Sequence, residues 1–215
     1  MWRIVGGALL ATLLAGCGAE ASSSKPVAVN MSGAVLSGAE MPTGFLTADN
    51  QRVFEGMEPV DPDCARLLQL ADVQTPRDIR GVEDAPEAHA AFYRASPVVS
   101  LAEHLFRLPS GRAARHVAEM RRAIVRCPRI EVETAEGDIR LRRVDTRKVK
   151  ALRNALAVHY AEVRGRFGLS VVMAAVGNDL LVVDAAGSGM SRLTERVAIK
   201  ALEKLRAVRA APGPP

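Results

Sequence analysis

Leu169-Ser170-Val171-Val172-Met173-Ala174-Ala175-Val176-Gly177-Asn178-Asp179-Leu180-Leu181-Val182-Val183-Asp184-Ala185 is the stretch on which the fold turns. Leu169 to Val176 and Leu180 to Ala185 are β-rich runs of strand length, joined through Val176-Gly177-Asn178-Asp179. Two such runs around a Gly-Asn pair read as neighbouring antiparallel strands. The stretch upstream repeats the pattern. Ile130-Glu131-Val132-Glu133 alternates, Glu136-Gly137-Asp138 supplies a turn, and Ile139-Arg140-Leu141-Arg142 alternates back. Acidic residues on the first arm face basic ones on the second, which favours pairing across the hairpin. His89 to Arg94 and Val98 to Leu108 are two further short strands. The apolar content of the second is too even to choose a buried face.

Helices interrupt and close this series. Asp61-Pro62-Asp63-Cys64 has the form of a helix start, with Asp61 as cap, Pro62 at the first helical position and Asp63 in the first turn. The helix from Asp63 to about Ala71 places Cys64, Leu67, Leu68 and Ala71 on one face. Asp72 to Glu87 is loop, broken by Pro76, Gly81 and Pro86. Ser110 is placed to cap a helix running to Arg126, whose apolar positions Ala113, Val117, Met120, Ile124 and Val125 follow helical spacing. Cys127-Pro128 stops it, because proline disfavours helical geometry in the residue before it. Arg192 to Val208 is a last amphipathic helix, with Leu193, Val197, Ala201, Leu205 and Val208 on its stripe. Asp145 to Arg164 carries conflicting signals. Val149, Leu152, Leu156, His159 and Val163 share a helical stripe, yet Leu156-Ala157-Val158-His159-Tyr160 has strand composition.

The N-terminus is an address. Met1 to Ala15 has one basic residue, Arg3, and an apolar run from Ile4 to Leu14, the length of a signal-peptide core and too short to span a bilayer as a helix. Leu14-Ala15-Gly16-Cys17 follows and resembles the lipobox of bacterial lipoproteins. That resemblance implies a signal peptide over 1–16, cleavage before Cys17, a diacylglyceryl group on the Cys17 thiol, and a cell-membrane location on the extracytoplasmic face. Residues 17–34, small and polar around Ser22-Ser23-Ser24-Lys25-Pro26, read as a flexible tether. The domain is expected over 35–209, with 210–215 a disordered tail. Val35 to Phe45 is its first ordered piece, extended or turning because of Pro42 and Gly44.

Composition narrows the function. Hydrophobic residues make up 48% and charged residues 25% of the 215, enough for a sizeable core. The net charge of +5 falls to +4 without Arg3 and gives only a weak pull toward anionic lipid. Export argues against nucleic acid as a partner, and 4% aromatic residues are too few for stacking platforms. With Cys17 assigned to the lipid, Cys64 and Cys127 remain as an even pair in an oxidising compartment. A disulfide is the reading; a metal site would want more ligands nearby, and two buried thiols are the other alternative.

The order of parts is itself a resemblance. A Leu-x-x-x-x-Met-Pro-x-Gly-Phe segment (Leu36 to Phe45), a Cys-Ala-x-Leu helix at Cys64, a long helix ending at Cys127-Pro128, and a hydrophobic hairpin before a final helix resemble an extracytoplasmic sensor-type domain. It is found in actinobacterial lipoproteins and outside PknH-type kinases. The resemblance implies an α+β fold, an antiparallel sheet packed by helices, with a cleft for an unidentified ligand. It also implies that Ala155 to Arg164 is strand. The family's kinase ectodomain carries two disulfides, whereas a single pair is available here.

No stretch carries a catalytic signature: there is no Gly-x-Ser-x-Gly, His-Glu-x-x-His, Ser-x-x-Lys or Walker loop. His89, His104, His116 and His159 stand alone and read as surface or satisfied core residues. Gly187-Ser188-Gly189 lacks the third glycine of a dinucleotide fingerprint and reads as a turn. Asp61 and Asp63 are accounted for by capping, and the arginines of Arg112 to Arg126 by a solvated face. The expectation is therefore a non-catalytic, membrane-anchored binding module for a hydrophobic or envelope-derived ligand, with no metal or other cofactor. The alternative is a subunit that docks on a membrane or envelope protein. A hydrolase would need a serine brought to His104 or His159.

Overall fold

The computed structural model describes residues 30–49, 52–132, 138–147, 154–162 and 167–211. The expected signal peptide over 1–16, Cys17, the rest of the expected tether up to residue 29, the expected turn at Glu136-Gly137-Asp138 up to residue 137, and residues 212–215 lie outside the described residues. Eight strands form one antiparallel sheet: β1 Leu46–Ala48, β2 Glu87–Ala95, β3 Val98–Arg107, β4 Arg129–Val132, β5 Ile139–Arg147, β6 Ala155–Glu162, β7 Gly168–Val176 and β8 Asp179–Gly187. Their order across the sheet is β1-β2-β3-β8-β7-β6-β5-β4. Helices α1 (Pro62–Ala71) and α2 (Arg112–Arg126) cover one face and α3 (Ser191–Ala210) the other.

Cladding on both faces explains the sequence of the central strands. Leu180 and Val182 of β8 join the core under α1 and α2, while Leu181 and Val183 join the core under α3. A strand buried on both sides has no solvent face to mark with polar residues, so its sequence is a continuous apolar run. The same holds for β3, where Phe106 lies on one side and Leu101 and Leu105 on the other. The β7–β8 connection is the expected tight turn: Val176 pairs with Asp179, and Gly177 takes φ 62° as its first central residue. At the far end of β8, Gly187 lets β3 close on the sheet. A Cβ there would lie 2.2 Å from the Val98 carbonyl oxygen.

The contested segment is strand β6, paired with β5 through Arg143↔Tyr160 and with β7 through Leu156↔Met173. Its helical stripe has no consequence because two sheet ladders take up its backbone, and it buries Leu156, Val158 and Tyr160 on one face and Ala155 and Ala157 on the other. In the β4–β5 hairpin Glu131 pairs with Arg140, the expected opposite charges facing each other.

Two local expectations are corrected. The cap of α2 is Gly111 at φ 75°, not Ser110, because the chain turns into the helix through a left-handed residue. The tether expected to reach residue 34 stops short of it: Met31 and Ala34 are buried with Leu36 between α3 and the sheet, so the domain begins before Val35. Asp61 caps α1 as expected, accepting from the N–H groups of Asp63 and Cys64. A disulfide joins Cys64 at the start of α1 to Cys127 at the end of α2. Beside it the Tyr160 hydroxyl donates to the Cys127 carbonyl at 2.6 Å. Among the described residues the buried hydrophobic ones run from Met31 to Leu205.

Candidate functional site

The register of three strands gathers the polar groups of the interior. His89 of β2 lies opposite His104 of β3, and Asp184 of β8 lies opposite Ala102, one step diagonal to His104 on the same face. Of their same-face neighbours on these strands, Ala91, Ala102, Phe106, Val182 and Ala186 carry no polar side-chain group, while Glu87, opposite Phe106, and Ser100, opposite Ala186, are polar but leave the three unbonded. His104 and Asp184 are both fully buried. The His104 Nε2 to Asp184 Oδ1 distance is 3.6 Å, too long for a hydrogen bond. Nδ1 of His89, both ring nitrogens of His104 and both carboxyl oxygens of Asp184 have no hydrogen-bond partner among the described residues.

Burial sets the protonation of this cluster. Desolvation, helped by the nearby His89, holds His104 down at about 4. Desolvation, helped by the charge of Asp72, pushes Asp184 well above the usual carboxylate range. Near neutral pH His104 is then a neutral imidazole, and the Asp184 beside it is shifted toward its neutral acid form. Sequence reading gave His89 and Asp184 no role, and named His104 only as the base a hydrolase would need. A signal was present: Asp184 is the single charge in the run from Leu180 to Ala186, and Glu103-His104 interrupts another apolar run.

Asp72 links this interior to the surface. It follows the last residue of α1, its N–H donating to the Leu68 carbonyl, and its half-buried carboxylate accepts from Gln74 Nε2. Burial raises its pKa against that hydrogen bond. Asp72 also lines an open groove of about 550 Å³ between α1 and the turn at 52–59, with Phe54, Met57, Arg52, Gln69 and Asp78 around it. The lining mixes both charges with two apolar side chains. This is the cleft-like feature that the sequence led us to expect, although it lies beside α1 rather than between sheet and helices.

The remaining candidates resolve locally. His116 and His159 are satisfied, by the carbonyls of Leu70 at 2.9 Å and Leu169 at 3.0 Å. His89 and His104 depart from that expectation, since His89 Nδ1 and both His104 ring nitrogens find no hydrogen-bond partner among the described residues. Ser170 does come beside His159, with Asp145 on the other side in register. The cavity they share with Ser191 and Glu195 is about 10 Å³, room for a single water and not for a substrate. Among the arginines of α2, Arg112 donates to the Arg80 carbonyl and Arg126 pairs with Asp63. Gly189, at φ 70°, turns the chain into α3, as the turn reading of Gly187-Ser188-Gly189 requires. Among the described residues no group of three or more His, Cys, Asp or Glu is arranged to hold a metal, and no helix is long and apolar enough to cross a membrane.

An eight-stranded antiparallel sheet clad by helices on both faces is the architecture of an extracellular domain of known structure. The extracellular domain of PknH from Mycobacterium tuberculosis matches with a TM-score of 0.61 at 15% sequence identity, over 85% of this chain and 98% of that one. The likeness is one of fold, and it is the PknH-type fold that the sequence motifs implied. The Rv0999 ortholog from Mycobacterium smegmatis matches at a TM-score of 0.42 and 11% identity, over 78% of this chain and 92% of that one, too distant to build on. No protein-family model and no curated protein matches the chain.

Proposed function

We propose that this protein is a lipid-anchored, non-catalytic module of the extracytoplasmic face, and that its ligand sits in the groove beside α1. The groove carries the reading: about 550 Å³ is within the range of small-molecule sites. Its chemistry favours a polar or amphiphilic envelope fragment over a wholly hydrophobic one, since Arg52, Gln69, Asp72 and Asp78 surround Phe54 and Met57. The extracytoplasmic location is supported by the Cys64–Cys127 disulfide, which persists in oxidising compartments, and by the fold shared with an extracellular domain. The anchor is supported by the Leu14-Ala15-Gly16-Cys17 motif.

Native purification of the 17–215 chain followed by mass spectrometry tests the groove. A bound small molecule that is lost in Asp72→Ala and Arg52→Ala supports it; a bound molecule that both variants retain places the ligand elsewhere and refutes it. Acyl modification of Cys17, and release of Cys17→Ser from membranes, test the anchor separately. A second reading, docking on an envelope protein, is favoured by Val125 and Val144. Both are exposed, at 72% and 64%, and together they line a shallow depression of about 330 Å³. Crosslinking in membranes from a residue beside Val125 tests it.

A further inference from the structure

Helix α3 turns a basic face outward on the layer from which the N-terminal segment leaves. Its inner stripe, Leu193, Val197, Ala201 and Leu205, is buried. The opposite positions carry Arg192, Arg196, Lys200 and Arg206, all exposed, with exposed Glu203 among them and half-buried Glu195 at the flank. Lys200 donates to the backbone carbonyl of Glu40, which fixes the ammonium without neutralising it. Lys204, on the inner shoulder, is instead paired with the Glu40 carboxylate. Alongside this face runs a depression of about 310 Å³, walled by Leu36, Met41, Pro42 and Val197 and rimmed by Arg196, Lys200 and Glu40, whose carboxylate is paired with Lys204. An apolar floor with a cationic rim is complementary to a phosphate headgroup and the first methylenes beneath it.

The path of the chain selects this face over the arginines of α2. The first described residues pack on the α3 layer through Met31, Ala34 and Leu36, whereas α2 lies across the sheet. Twelve residues separate Cys17 from Asn30, a span of at most about 45 Å. A lipid on Cys17 thus delivers the α3 side to the bilayer.

We propose that the outer face of α3 and the adjoining depression dock on anionic lipid headgroups, so that the groove beside α1 lies on the opposite layer. The orientation rests on the lipid-anchor reading; the binding belongs to the folded surface alone. The test uses residues 17–215 with Cys17→Ser, which retain the whole buried core, in co-sedimentation with phosphatidylcholine vesicles with and without phosphatidylglycerol. Binding is expected on the anionic vesicles only, weakening as salt shortens the reach of the charges. The triple variant Arg192→Gln, Arg196→Gln, Lys200→Gln should lose about a hundred-fold in partitioning, at about five-fold per cation. Arg115→Gln, Arg121→Gln, Arg122→Gln removes the same charge from α2 and should lose far less. No binding to anionic vesicles, or equal loss in the two triple variants, overturns the proposal. Hydrogen exchange on the unsubstituted chain supplies a readout independent of variant folding: vesicles should protect residues 192–206, and unchanged exchange there also overturns it. An unmodified Cys17 in membranes would remove the anchor reading and leave the vesicle result standing.

Discussion

Removing either member of the His104–Asp184 pair should give pH dependences of stability with opposite signs. In the folded protein burial favours the proton on Asp184 and disfavours it on His104. In the unfolded chain between about pH 4 and 6.5 the preference is reversed, with the proton on His104, so the two members contribute to the wild-type profile with opposite signs. Asp184→Asn leaves His104 alone. Its folded pKa of about 4 lies below the unfolded 6.5, so stability is full above 6.5 and is lost as pH falls toward 4. That gap corresponds to about 3 kcal/mol. His104→Phe, which keeps a ring beside Phe106, leaves Asp184 alone with a raised pKa. Its contribution is present at low pH and is lost as pH rises across the same window. Urea midpoints of the three proteins from pH 4 to 6.5 read this directly, each variant compared with wild type so that other titrating groups cancel. Nitrogen NMR of the imidazole in wild type should show neutral His104 at mid-window. Three parallel profiles, or a protonated His104 there, would refute the reasoning.

Three further outcomes follow from the packing. Replacing Cys64 and Cys127 together by Ala should cost about 4 kcal/mol, the chain-entropy value for a sequence separation of 63, measured by urea unfolding; a loss below about 1 kcal/mol would mean that the unfolded chain is already constrained. Gly187→Ala should cost about 3 kcal/mol or more, since φ is 136° and the new Cβ meets the Val98 carbonyl at 2.2 Å, whereas Gly189→Ala, with open space around it, should cost about 1 kcal/mol. Glu103 is buried under the N-terminal segment, one carboxyl oxygen accepting from the Leu36 N–H at 2.9 Å, and desolvation pushes it up to about 7. Its folded pKa is above the unfolded one, so stability is lost as pH rises from 4.5 to about 7, by about 3 kcal/mol, and Glu103→Gln should remove that loss in thermal melts.

Much of the architecture could be read from local chemistry, and the exceptions share a cause. The β7–β8 hairpin, the Asp61 cap and the stop at Cys127-Pro128 are decided within a few residues, where turn geometry and capping act. The face choice in β3 could not be read, because both faces are buried and alternation has nothing to report. Helical spacing in β6 lost to two sheet ladders that no local window contains. The groove beside α1 required the turn at 52–59 to be set against the helix, a juxtaposition absent from any motif. His104 and Asp184 stand 80 residues apart in sequence and meet only through the β3–β8 register. Their isolation in apolar runs was visible; their partnership was not.

That register has a consequence for how the molecule is put together. β2 and β3 form one local meander, and β4 to β8 form another, each stitched by connections between sequence neighbours. The β3–β8 ladder, from Val99↔Gly187 to Arg107↔Asp179, is the seam where the two halves of the chain are zipped together. Closing it requires bringing together residues 72 to 88 apart in sequence, a slow kind of contact to form. The seam also carries the polar cluster, where hydration is surrendered without hydrogen bonds in return. The same ladder that completes the sheet is therefore its least compensated line, and a partner or ligand able to supply those missing hydrogen bonds would act on the join between the two halves.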